Sequence, residues 1–243
     1  MPPADDFYVG YFRAPLRIVR FVTYVAIVLV LLTDGVALLL YRAQENRASG
    51  HWDESGEVAI TGTMVARPYP VVQVAASAGR PAHAVLLVSE GKAGAPATAA
   101  ALDGKQVTVR GYEILRDDLT VLQLDQDPAL ETGAPGAVAT EELGPRTFIG
   151  EIVDAKCFLG AMVPGEGKVH KDCASLCILG GIPPLFVTRD GAGKVTYRLL
   201  ADQDGGPIAE AAASRAGEFI TLTGDLRRVG AIEVFRVRTA ALE

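Results

Sequence analysis

With 243 residues the chain has room for one large domain or two small ones, and a hydrophobic fraction of 49% excludes a disordered protein. Aromatics are only 7%, so a core must be assembled from the abundant Ala, Val, Leu and Gly, which suits strands better than a bulky helical bundle. A net charge of −6 leaves no surplus of Lys and Arg to neutralise phosphates, and this counts against a nucleic-acid partner.

From Phe21 to Tyr41 the chain reads F-V-T-Y-V-A-I-V-L-V-L-L-T-D-G-V-A-L-L-L-Y. As one helix rising about 1.5 Å per residue, residues 21–41 cover roughly 30 Å of hydrocarbon and are expected to span a membrane. A cleaved signal peptide is the competing reading. The apolar run outlasts an h-region of about 7–15 residues, however, and no clear small-x-small cleavage site comes after it. Arg13, Arg17 and Arg20 precede the span, whereas Arg42 and Arg47 lie beyond it. The positive-inside rule therefore favours a single-pass protein with residues 1–20 cytoplasmic and the bulk of the chain extracytoplasmic. Asp34 is either hydrated near the outer interface or a pairing point for another membrane subunit.

Residues 42–56 read as a linker, in which Trp52, beside His51, suits an interfacial anchor. Apolar runs bounded by turn residues then predict five short strands: Glu57 to Ala66, Val71 to Ala75, Ala84 to Ser89, Gln106 to Leu115 and Leu119 to Leu124. Arg116-Asp117-Asp118 is a hairpin connection between the last two, and the Ala/Gly-rich stretch from Gly91 to Ala101 is a loop or short helix. Five strands with a helix or loop between the third and fourth is the pattern of an OB-like barrel, assigned to residues 57–127.

Residues 128–145, rich in Ala, Gly, Pro and Glu, read as a second linker. The remainder of the chain repeats the first unit. G-K-Q-V-T-V-R-G from Gly104 aligns with G-E-F-I-T-L-T-G from Gly217, and Leu119, Val121 and Leu122 align with Ile232, Val234 and Phe235, all at an offset of 113. Gly62 and Gly150 lie in similar runs at an offset of 88, so the second copy holds 25 additional residues between these landmarks. The expected fold is mainly β: one transmembrane helix, then two tandem OB-like small barrels, the second over residues 146–243 with an inserted loop-helix. A single sandwich of about ten strands is the alternative.

The insertion contains all three cysteines. Val169 to Leu179 has no Gly or Pro and is succeeded by Gly180-Gly181 and Pro183-Pro184, the signature of a helix that stops there. On a helix at about 100° per residue, His170, Cys173 and Cys177 share one face. Cys157 can fold back over it. Cys157, His170, Cys173 and Cys177 thus fit a tetrahedral metal site, with zinc the default occupant and copper or iron able to use similar soft ligands. In an oxidising compartment the competing reading is a disulfide between Cys157 and Cys173 or Cys177. Asp154 and Lys156 suit orientation of His170 or Cys157, or a surface ion pair. Met162 suits a soft ligand or, more commonly for methionine, loop packing. His83 lies in a Gly/Pro turn, and Gly91-Lys92-Ala93-Gly94 lacks the remaining glycine and the hydroxyl of a phosphate loop.

The single span, G-K-A-G-A at Gly91, and G-E-I-V-D-A-K-C through H-K-D-C-A-S-L-C to G-G-I-P-P resemble a group of bacterial membrane-anchored proteins predicted to carry OB-like domains. The resemblance implies an envelope-facing setting and assigns no catalytic residue. It carries over Cys157, His170, Cys173 and Cys177 as motif positions. The expected function is that of a non-enzymatic accessory or scaffold subunit held in the lipid bilayer, serving a membrane-associated redox or transport partner. The alternatives are a thiol-dependent oxidoreductase using Cys173 or Cys177 with His170, and an OB module binding oligosaccharide or nucleic acid.

Overall fold

The computed structural model describes residues 14–43, 50–53, 55–77, 79–125, 127, 129–130 and 136–242. Arg13 and the rest of the expected cytoplasmic N-terminus up to it, the linker residues 44–49 with Arg47, and 131–135 of the second linker lie outside the described residues. The chain forms two units, Met1–Ala48 and Ser49–Glu243.

In the first unit, helix α1 runs from Leu16 to Ala43, longer at both ends than the apolar run suggests. Pro15 begins it, accepting bonds from the Ile18 and Val19 amides at 2.9 and 3.1 Å, and no proline interrupts the helix beyond that point. Its Leu, Ile, Val and aromatic side chains are exposed over nearly the whole length. The helix is long and apolar enough to cross a membrane, a property that a signal sequence shares.

The second unit is mainly β. Its first half comprises β1 (His51–Trp52), β2 (Val58–Val65), β3 (Val71–Val74), β4 (His83–Val88), helix α2 (Ala97–Ala100), β5 (Gln106–Arg116), β6 (Leu119–Leu124) and β7 (Ala129–Leu130). They form a seven-stranded sheet in which β5 pairs with β2 on one side and β6 on the other. The β5–β6 hairpin turns at Asp117, whose φ of 53° is the left-handed conformation that Asp tolerates in a two-residue turn.

The second half comprises β8 (Thr140–Asp154), helix α3 (Lys171–Leu179), β9 (Pro184–Arg189), β10 (Val195–Asp202), helix α4 (Ala209–Ser214), β11 (Phe219–Val229) and β12 (Ile232–Val237). Strands β10, β12, β11, β8 and β9 close into a five-stranded barrel. Strand β8 begins at Thr140, inside the stretch read as linker, because residues from Thr140 to Pro145 pair with β11. The two halves use one pairing scheme. Counting β2–β6 in the one and β8–β12 in the other, first joins second, second joins third, third joins fifth in parallel, fifth joins fourth and fourth joins first.

The internal repeat is visible in the strand limits: β5 and β6 recur as β11 and β12 at the same offset of 113. Equivalent glycines also face equivalent obstacles. A Cβ on Gly111 would lie 1.9 Å from the Gln123 carbonyl oxygen, and one on Gly224 would lie 2.2 Å from that of Arg236. Gly62 and Gly150 face the Gln73 and Val187 carbonyl oxygens in the same way, at 2.4 and 2.3 Å. Each glycine permits an approach between strands that any side chain would block.

One hydrophobic cluster crosses between the halves, joining Val71, Leu86, Ile114 and Val121 with Val153, Phe158, Leu185, Val187 and Val234. Cys157 and Cys177 belong to this shared core. Trp52 packs against it too and pairs with Ile114 in β1, so the tryptophan expected at a membrane interface is instead part of the body's own packing.

Candidate metal centre

Strand β8 delivers Asp154 at its end, fully buried, where the chain leaves the barrel for the inserted segment. The Asp154 carboxylate accepts the Cys157 amide at 2.8 Å, stabilising a wide turn over Cys157–Ala161. That turn is held from three sides. A Cβ on Gly50 would sit 1.4 Å from the Leu159 carbonyl oxygen, which shows how closely the chain before β1 approaches. Arg116 from β5 donates to the Phe158 carbonyl at 2.7 Å and lays its guanidinium 3.9 Å from the Phe158 ring centre. Buried Phe158 and Leu159 fill the seam beneath.

The chain returns through a single tight turn, Lys168–His170, into α3. His170 therefore stands at the cap of the helix rather than on its regular face, whereas Cys173 and Cys177, four residues apart, share one face of α3. The difference changes what His170 meets. Its Nε2 lies 3.2 Å from Asp154 Oδ2, and both side chains are buried.

The three sulfurs form one group, with every pair of ligand atoms within 4.8 Å. Cys157 Sγ and Cys177 Sγ are 3.9 Å apart and all three thiols are free. A second group of the same tightness comprises Asp154, Cys157 and His170. Cys157 is common to both. The four predicted ligands thus do not form one group of four: the sulfurs converge, and His170 groups with Asp154 and Cys157. Both groups are positioned to hold a metal ion. The sulfur spacing suits one, since ligands about 2.3 Å from a tetrahedral centre are about 3.8 Å from each other.

Lys92, which the sequence offered only as part of a failed phosphate loop, reaches this group from the first half. Its Nζ donates to Cys173 Sγ at 2.8 Å and to Cys177 Sγ at 3.5 Å. The loop carrying it is clamped twice. Lys156, read as orienting His170 or Cys157 or as half of a surface ion pair, is 4% exposed and donates to the Ser89 and Gly91 carbonyls at 3.0 and 2.8 Å. On the other side, the Gly94 amide donates to the Gly180 carbonyl at 2.9 Å. Cβ atoms on Gly94 and Gly180 would fall 2.2 and 1.8 Å from the carbonyl oxygens of Gly181 and Lys92. The sequence signal for Lys92 was there in these glycines: Gly91-x-x-Gly94 and Gly180-Gly181 are two halves of one backbone contact.

The electrostatics are uneven across the cluster. Cys177 is pulled down to about 7, first by the hydrogen bond from the Cys157 thiol and then by the Lys92 charge, against the opposing effect of burial. Cys157 is pushed the other way by the same hydrogen bond between the sulfurs, by burial and by Asp154. Lys92 is raised by its bond to Cys173, and Lys156 is lowered by burial. The pair behaves as a Cys157 thiol donating to a Cys177 thiolate. Cys173 is half-exposed and gives the group its access to solvent. Met162 is exposed rather than directed into the packing.

In comparisons with protein-family models, curated proteins and solved structures, none matches the chain.

Proposed function

We propose that this is a membrane-tethered accessory protein whose body is a pair of OB-like barrels and whose second barrel binds a soft metal ion, zinc by default, through Cys157, Cys173 and Cys177. The observation that carries the reading is the convergence of three free sulfurs within 4.8 Å of one another beneath a single half-exposed thiol. The OB-like assignment is supported by the pairing order common to both halves, with a helix between third and fourth strands and the elaborated segment between first and second. Its place in the membrane is supported by α1. An accessory role for a membrane-associated redox or transport partner fits a chain with a candidate metal centre and a helix able to span a membrane. The test is metal analysis of the full-length chain purified in detergent and loaded with zinc. Retention of bound zinc that is lost on Cys173→Ser or Cys177→Ser supports the reading. A chain that holds no metal and carries a Cys157–Cys177 disulfide by mass spectrometry overturns it.

Lys92 favours a second reading, thiol–disulfide exchange with a protein disulfide. In that chemistry the half-exposed Cys173 attacks one sulfur of the disulfide as thiolate and expels the other as thiolate. Cys157 or Cys177 then attacks the Cys173 sulfur, forming a disulfide with it and expelling the partner's remaining sulfur as thiolate, so that the partner disulfide is reduced and this chain is oxidised by two electrons. Lys92, rather than His170, supplies the positive charge beside the attacking sulfur. Rapid alkylation of Cys173 at neutral pH, slowed by Lys92→Met, would favour exchange, and slow alkylation unaffected by Lys92→Met would remove it.

A further inference from the structure

We infer that the centre holds two metal ions, with the Cys157 sulfur bridging them: one on Cys157, Cys173 and Cys177, the other on Asp154, Cys157 and His170. This rests on the metal-binding reading above and extends it in number and in ligand set.

Three observations carry it. First, the chain provides two separate three-ligand groups, each with its donor atoms within 4.8 Å, and a single sulfur belongs to both. A thiolate keeps lone pairs after binding one ion, so a shared cysteine joins two sites without an extra ligand. Second, the Asp154–His170 spacing admits an ion as well as a proton. Their 3.2 Å separation is long for a charge-assisted hydrogen bond, about 2.7–2.9 Å, and close to the roughly 3.3 Å edge of a tetrahedron whose N and O ligands lie about 2.0 Å from its centre. The Cys157–Cys177 spacing of 3.9 Å fits the sulfur-only site by the same measure.

Third, the second group is built rather than incidental. Asp154 is 0% exposed and His170 5%, so neither is a surface residue paired by chance. The other Asp154 oxygen is occupied by the Cys157 amide, which fixes the carboxylate and the sulfur in one unit. The donor sets also differ in kind. Three sulfurs make a soft site, whereas one oxygen, one nitrogen and one sulfur make a borderline site of the sort that zinc accepts. Lys92 approaches only the sulfur-rich group, leaving the Asp154–His170 side without that ammonium.

The experiment uses the full chain in detergent, loaded with zinc for elemental analysis and with cadmium for cadmium NMR. The expected result is two ions per chain and two cadmium signals coupled through the shared sulfur. His170→Gln should lower the count from two to one and leave the signal of the sulfur-rich site. Cys157→Ser should abolish the coupling and lower the count further, with far-ultraviolet circular dichroism confirming that each variant remains folded. A single ion in the wild type overturns the inference in either of two ways. If His170→Gln keeps that ion, the Asp154–His170 contact is only a structural hydrogen bond. If His170→Gln loses it, the one ion sits on Asp154, Cys157 and His170 and the sulfur group holds none. A chain that binds neither zinc nor cadmium refutes the metal-binding reading itself, an outcome distinct from both.

Discussion

At Cys177 the neighbourhood decides the charge. The thiol donated by Cys157 and the ammonium of Lys92 hold it near 7, while Cys157, buried and facing both Asp154 and the Cys177 sulfur, is raised. For the metal-free protein the two shifts act on opposite sides of the ordinary cysteine value of about 8.5. Between about 7 and about 8.5 the folded chain has released the Cys177 proton that the unfolded chain retains, so stability from this group is gained as pH rises and lost as pH falls through about 7. Above about 8.5 the unfolded chain releases the Cys157 proton that the folded chain keeps, and stability falls again. Denaturant midpoints measured across this range should therefore peak near pH 8.5, and Lys92→Met should weaken the rise on the acid side. A monotonic profile would show that the two sulfurs are not coupled in this way. The cysteines and His170 were legible as a cluster because they are rare residues at short spacing. Their exact grouping was not: one tight turn before α3 moves His170 to the Asp154 side, and no helical phase angle anticipates that.

The element that brings the site together is the contact between the Gly91–Gly94 loop and the end of α3. Gly180 has an ordinary helical φ of −74°, so glycine is required there by the approaching Lys92 carbonyl rather than by backbone conformation. Gly180→Ala is expected to cost about 1–3 kcal/mol, the usual penalty for overpacking. It should also move Lys92 away from the sulfurs, so that loss of stability on thermal unfolding is accompanied by an upward shift in the Cys177 titration. An equally destabilising change elsewhere, such as Gly224→Ala against the Arg236 carbonyl, should lower the melting temperature without that second effect. The strands themselves were readable because alternating Val, Leu and Ile runs between turn residues leave few other options. Lys92 was legible only indirectly, through the glycines at 91, 94, 180 and 181, since it lies 81 residues from Cys173 and a lysine in a glycine loop has no periodicity of its own to reveal its target.

Across the whole molecule, the repeat at an offset of 113 supports two halves with one pairing scheme, and the shared core between them explains why the body behaves as one compact unit. The unit that carries α1, Met1–Ala48, is distinct from this body. Removing residues 1–48 is therefore expected to leave the melting temperature of the metal-free body within a few degrees of the full chain in detergent; a large fall would mean that α1 contributes to the body's stability. The two halves have, however, specialised in complementary directions. One contributes the cation and the arginine that brace the site, Lys92 and Arg116; the other contributes its sulfurs, carboxylate and imidazole. Neither half is a working version of the other. Fragments divided between Leu130 and Gly136 should consequently act as a complementation pair, each inert alone and able to restore ion retention only when they find each other, so that occupancy of the centre becomes a reporter of their reunion.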